Sequence, residues 1–199
     1  MPIKPLPHGS LPRLIQNHLI PDEDAATADL IQRLRPVRRR GYLTKRELEA
    51  VCRWKSPRAI PLVQANTPYR IRKCTASALG TRRERLRLDS LLGLRGVSVP
   101  MASAVLTLLD PKRYGVLDIR VWQLLHTVGV VLVNRGGTQF TPDQWLRFLT
   151  VLRVLAHSLD LPVRTIERTL FSIHEKYQDG NLYAAPRRIR SLPMPRSEA

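Results

Sequence analysis

The sequence is poor in the residues that build disulfide scaffolds, membrane spans and metal centres. Of 199 residues, only Cys52 and Cys74 are cysteines. Two thiols cannot make a disulfide framework and cannot ligate a four-thiolate iron–sulfur cluster. They read instead as small buried hydrophobes in a reducing compartment. No apolar run approaches the ~18 residues of a membrane span; the longest, 102–109 and 128–133, are core-sized. The opening Met1-Pro2-Ile3-Lys4-Pro5 has no apolar segment of the signal-peptide kind. His126, His157 and His174 fall at no metal-ligand spacing with cysteines or carboxylates, so no metal site is assigned. The expectation is a cytoplasmic protein.

Acidic residues are also scarce, 16 against 33 lysines and arginines, which leaves a net charge of +17. A surface this positive attracts polyanions, and nucleic acid is the commonest of these. Arginine far outnumbers lysine, and codon bias in a GC-rich genome would produce that excess with no function attached. An anionic membrane is the competing partner, but no helix pairs a clean apolar face with a lysine-rich one. Nucleic acid is therefore the expected partner, with no membrane; a motif at 94–118 narrows this to double-stranded DNA and a nucleoid-associated location, while the oligomeric state stays open with a monomer favoured.

Hydrophobic residues make up 43% of the chain, enough for one packed domain. The patterning reads as an all-α protein with three regions: an extended proline-rich arm over 1–21, a helical domain over 22–180, and a basic proline/arginine tail over 181–199 expected to be disordered. Helix signals recur along the domain. A first helix covers 25–34 and ends at Pro36. Thr44-Lys45-Arg46-Glu47 and Thr81-Arg82-Arg83-Glu84 read as capping boxes. Ser56-Pro57 and Thr67-Pro68 start two short helices, Asp118 caps another, Thr141-Pro142 opens a long one to about Leu159, and Pro162 starts the last. One strand is expected, over 129–133.

The most informative stretch is Leu94-Arg95-Gly96-Val97-Ser98-Val99-Pro100-Met101, followed by Tyr114-Gly115-Val116-Leu117-Asp118-Ile119-Arg120-Val121-Trp122. It reads as helix, tight glycine turn, helix. Free backbone N–H groups at the start of the second helix can hold a phosphate oxygen without reading base sequence.

This stretch resembles the helix-hairpin-helix signature of the base-excision DNA glycosylases, in which a Leu-Pro-Gly-Val-Gly hairpin precedes a catalytic aspartate. Gly96 and Asp118 are 22 residues apart, the interval found in several branches of that superfamily. The closely matched part covers about 30 residues, Leu94 to Leu124, and the helix-hairpin-helix motif is placed at about 82–109. It implies a two-lobed helical glycosylase fold, with Asp118 catalytic and with Gly96, Val97 and Ser98 clamping the DNA backbone. Arg120 is a further candidate for a phosphate contact. No cofactor is implied, beyond a monovalent cation that the hairpin could recruit. Pro100 stands where bifunctional members carry a Schiff-base lysine, so the resemblance points to the monofunctional type. Ser98 replaces the second hairpin glycine.

Each residue also has a plainer reading. An aspartate before a helix is usually only a cap, and Arg120 suits a solvated surface. Arg53-Trp54-Lys55-Ser56-Pro57-Arg58 is a second region of interest. Trp54 could stack on an extruded base or wedge into the duplex, and Lys55 could act as an amine nucleophile. Both also fit a core tryptophan with solvated neighbours. Three functions stay open: a monofunctional DNA N-glycosylase, a non-enzymatic helix-hairpin-helix DNA-binding or damage-sensing protein, and an abasic-site lyase using Lys55.

Overall fold

Ten α-helices form in a computed structural model that describes residues 3–7 and 9–179. They are α1 (Leu11–Asn17), α2 (Ala25–Arg40), α3 (Lys45–Lys55), α4 (Ile60–Gln64), α5 (Pro68–Gly80), α6 (Glu84–Leu92), α7 (Val99–Leu109), α8 (Ile119–Thr127), α9 (Pro142–Leu159) and α10 (Val163–Tyr177), with a single 3₁₀ turn at Pro57–Ala59. Among the described residues there is no strand, only an isolated bridge between Ile3 and Gln178. None of these helices is long and apolar enough to cross a membrane. The tail over 181–199 lies outside the described residues.

The helices begin where capping chemistry places them. Thr44 accepts from the Glu47 N–H while Glu47 reaches back to the Thr44 N–H, a complete box that opens α3. Thr67, Ser98, Asp118 and Thr141 each cap the helix that follows through a side-chain oxygen. Such a cap contributes about 1 kcal/mol. α7 is buried along its length except at Pro100. It packs on α2, α3, α6 and α9, and so forms the centre of the core. α8 and α9 pack on α10, and α1 lies against both α9 and α10.

Four sequence expectations give way. The arm over 1–21 contains α1, because Leu14 and Ile15 bury in the core and Pro12 fits a first helical turn. α2 continues through Pro36 to Arg40. The proline and its would-be acceptor residue Gln32 are both exposed, and the added turn buries Val37 completely. The Thr81–Glu84 box does not form: α6 starts at Glu84 with Arg83 as N-cap. Glu84 turns away to accept from the Tyr114 hydroxyl at 2.9 Å and from Arg153 at 2.8 Å. Residues 129–133 make no strand. The Val130 and Val131 N–H groups instead close onto the Leu125 carbonyl, leaving Leu132 81% exposed. Of the two short helices, the first is the 3₁₀ turn running into α4, while the second, α5, extends to Gly80.

Candidate functional site

Asp118 is delivered by the segment joining α7 to α8, and two buried side chains hold that segment. Glu167 of α10 accepts the Val116 N–H at 3.2 Å. Ser103 of α7 accepts the Leu117 N–H at 2.9 Å and donates its own proton to the Pro100 carbonyl at 2.7 Å. The approach is close enough to require glycine at 115, where a Cβ would lie 2.9 Å from Glu167 Cβ and 2.6 Å from Leu152 Cδ1. Asp118 then uses its two oxygens differently. Oδ1 caps α8 by accepting the Arg120 N–H at 3.0 Å. Oδ2 accepts from Lys55 Nζ at 2.6 Å, with both side chains less than a fifth exposed. The capping role therefore accounts for one oxygen and leaves the other to Lys55.

Lys55 closes α3 and brings Trp54 with it. The indole N–H donates to Thr27 Oγ1 at 2.8 Å, and the Arg164 guanidinium lies 5.5 Å from the ring centre. Trp54, Lys55 and Asp118 border one cleft of about 520 Å³, joined by Arg164, Glu167 and Phe171. Its charged lining comprises four carboxylates (Asp24, Asp118, Glu167, Glu175) and three cations (Lys55, Arg164, Arg168). In a chain carrying +17, this is a local near-balance of charge. A second cavity of about 240 Å³ shares Lys55 and Asp118 with the first and is bounded by Pro100, Gln139 and Phe140.

Charge is managed tightly around the cleft. Burial pushes the Glu167 carboxyl up, against the pull of the Arg164 guanidinium and the Val116 N–H. Arg164 bridges Glu167 and Glu23, and Arg168 also pairs with Glu23, so the segment before α2 is pinned to α10. Arg120 lies 5.3 Å from the Phe171 ring centre, within 3.6 Å of Glu175, and donates to Gln178. Its guanidinium is thus engaged at the cleft side of α10. His174 is fully buried, with Nε2 on Gln123 Oε1 at 3.1 Å. Burial, aided by the Arg120 charge, lowers its pKa to about 4.

Gly96, Val97 and Ser98 border neither cavity. They occupy the turn between α6 and α7, where Gly96 takes φ +77°. A Cβ at Gly96 would meet Leu62 Cβ at 2.9 Å and the Val63 backbone nitrogen at 3.0 Å, so only glycine fits. The Val97 N–H closes the turn onto the Leu94 carbonyl. Among the described residues, nothing accepts the N–H groups of Gly96 and Ser98. Buried Asn66 holds the turn by a two-way grip on Arg95, accepting its N–H and donating to its carbonyl, each at 2.9 Å.

Sequence reasoning singles out Trp54, Lys55 and Asp118 but not their meeting point. Glu167, Arg164 and Asn66 escape it altogether, and Ser103 reads only as a small residue that lets helices approach, because their partners lie on other elements and no local motif marks them. Among the described residues, no group of three or more histidines, cysteines or carboxylates could hold a metal ion. Comparison of the chain with protein-family models, with curated proteins and with solved structures finds no match.

Proposed function

We propose that this chain is a monofunctional DNA N-glycosylase of the two-lobed helix-hairpin-helix kind, which takes a flipped nucleotide into the 520 Å³ cleft and hydrolyses its N-glycosidic bond. One observation carries the reading: Asp118, whose second oxygen is held by Lys55, lines together with Lys55 and Trp54 a cleft of ligand-binding size. A base inside a duplex is out of reach of any such group until it leaves the stack. Trp54 and Phe171 supply flat apolar surface for the extruded ring. The charged groups of the lining are largely paired with one another, so the cleft offers an extruded base polar edges without a strong net charge. As the glycosidic bond breaks, positive charge develops on the sugar, and the Asp118 carboxylate stabilises it while Lys55 keeps that carboxylate in place. The turn anchors the strand through its free N–H groups.

The test is incubation of wild type and Asp118→Asn with duplexes bearing different lesions, followed by alkaline cleavage. Strand breaks with wild type but not with Asp118→Asn support the reading. Binding without excision of any lesion makes the chain a DNA-binding or damage-sensing module in which Asp118 is a cap.

A second reading, abasic-site lyase, is favoured by one contact. Lys55 Nζ lies beside Asp118 and borders the same small cavity as Pro100, so α3 supplies an amine near the position where the resemblance expects a lysine from α7. The amine would add to C1′ of the ring-opened sugar with loss of water, and Asp118 would take up the proton the ammonium sheds. Borohydride then traps a covalent adduct on abasic DNA. An adduct that disappears in Lys55→Ala supports this reading, and no adduct with wild type removes it.

A further inference from the structure

One guanidinium reaches toward both halves of the Asp118–Lys55 pair. Arg164 lies in the first turn of α10, and its side chain is only 11% exposed. On one side it donates to Glu167, the buried carboxylate that accepts the Val116 N–H two residues before Asp118. On another it lies 5.5 Å from the ring centre of Trp54, the residue before Lys55 at the end of α3. On a third it grips Glu23, ahead of α2, with Nε at 2.9 Å from one carboxylate oxygen and Nη2 at 3.2 Å from the other. Its backbone N–H donates to the Pro111 carbonyl at 3.0 Å, so the same residue fastens the start of the segment that delivers Asp118.

The branches depend on one another. A carboxylate as buried as Glu167 keeps its charge only against a cation, and a charged oxygen accepts an N–H more strongly than a neutral one. The hold on Val116 therefore depends on Arg164. The two-point grip of Glu23 fixes the plane of the guanidinium, which a single contact would leave free to turn away from Trp54. Glu23 is itself held in place. Arg168 pairs with it at 3.1 Å and donates to the Asp22 carbonyl, and the Ile20 N–H donates to Thr169 Oγ1 at 3.2 Å. Asp118 and Lys55 are 63 residues apart, so nothing local fixes their 2.6 Å contact. Two of the three side-chain branches of Arg164 end within two residues of one or the other.

We propose that Arg164 is a positioning residue that holds Asp118 and Lys55 in register, and that Glu23 acts on the site by setting the Arg164 guanidinium. The consequence for catalysis rests on the excision reading above. An Asp118 released from this hold no longer lies against the charge that develops on the sugar, so excision slows while the turn still holds the duplex.

The experiment compares wild type with Arg164→Gln, Arg164→Lys, Glu23→Gln and a control, Glu47→Gln, which removes the part-buried ion pair with Arg40 at the far end of α3. Hydrogen exchange over residues 114–118 reads the hold on Val116 and needs no substrate. Single-turnover excision at saturating protein and duplex affinity read its consequence. In Arg164→Gln, exchange over 114–118 should be roughly tenfold faster. Its excision should be at least about tenfold slower, with affinity within about twofold of wild type. Arg164→Lys should recover part of both losses, since an ammonium answers the Glu167 charge but cannot also span Glu23 and lie flat on Trp54. Glu23→Gln should shift both readouts in the same sense but less, and it carries the test together with Arg164→Lys if Arg164→Gln does not fold. Glu47→Gln should lower the urea midpoint and leave both readouts unchanged. Wild-type exchange over 114–118 in the Arg164 and Glu23 variants, or faster exchange with excision at the wild-type rate, would overturn the proposal. So would a Glu47→Gln protein that changes as much, since loss of stability alone would then explain the effect. Faster exchange in Arg164→Gln when wild type excises no base would uphold the hold on Asp118 and remove only the enzymatic reading.

Discussion

The cleft at Asp118 and the face around the turn handle charge in opposite ways. In the cleft almost every ion is paired: Asp118 with Lys55, Arg164 with Glu23 and Glu167, Arg120 with Glu175. Around the turn, exposed Arg58, Arg70, Arg72, Lys73 and Arg95 form no ion pair among the described residues, and the chain has no carboxylate between Glu49 and Glu84. Paired, half-buried charges hold a fixed geometry and are little screened by salt, whereas unpaired exposed cations act at a distance and are strongly screened. The first arrangement suits chemistry on a positioned group, and the second suits holding a polyanion. In the proposed enzyme the two tasks are divided between regions that meet through α7, which starts at the turn and carries Ser103 beneath the Asp118 segment.

If that division is real, each region should fail separately. Acid is the largest lever, and it acts on the cleft side, since residues between Glu49 and Glu84 include neither a carboxylate nor a histidine. Buried His174 has its pKa lowered from the usual 6.5 to about 4. Between those values the unfolded chain takes up a proton that the folded one does not, so the contribution of His174 is full above pH 6.5 and falls as the pH drops toward 4, while the raised carboxyl of buried Glu167 acts in the opposite sense. The loss is on the order of 3 kcal/mol. Urea midpoints across this range should show the slope, and His174→Leu should flatten it whatever it does to the midpoint at neutral pH.

Gly96→Ala comes next. A left-handed φ and contacts at 2.9–3.0 Å should cost about 2–3 kcal/mol of stability by urea melt. Duplex affinity should drop, with a smaller change in the excision rate at saturating protein. Gly115→Ala is its counterpart on the cleft side. Overpacking against Glu167 should cost about 2 kcal/mol and should slow excision at saturation, with duplex affinity kept. The smallest effect is that of Arg95→Ala. It should leave stability unchanged and lower the slope of log affinity against log salt by about 1. Equal effects of the two glycine changes on binding and on rate would erase the distinction between the regions.

Much of the fold is legible locally, and the site much less so. Caps at Thr44, Ser98, Asp118 and Thr141 act through one side chain and a backbone group within three residues, so their spacing can be read directly. The misreadings share a cause in tertiary competition. Glu84 leaves its capping position for Tyr114 and Arg153, and α2 passes Pro36 because Val37 gains a buried place. The apolar run at 129–133 has no neighbouring strand among the described residues with which to pair. Asp118 and Lys55 are each conspicuous, but they are 63 residues apart, and nothing in their spacing announces a 2.6 Å contact. The roles of Ser103 and Glu167 are invisible for the same reason: their work is done on backbone N–H groups 14 and 51 residues away.

The most direct measurement is the single-turnover excision rate and the duplex affinity of Asp118→Asn, determined side by side with wild type on the lesion that wild type removes fastest. The account predicts a rate at least roughly 100-fold lower, the scale of removing one transition-state charge contact, with affinity within about twofold of wild type. An Asp118→Asn protein that excises at the wild-type rate, or one whose affinity falls in step with its rate, would contradict it.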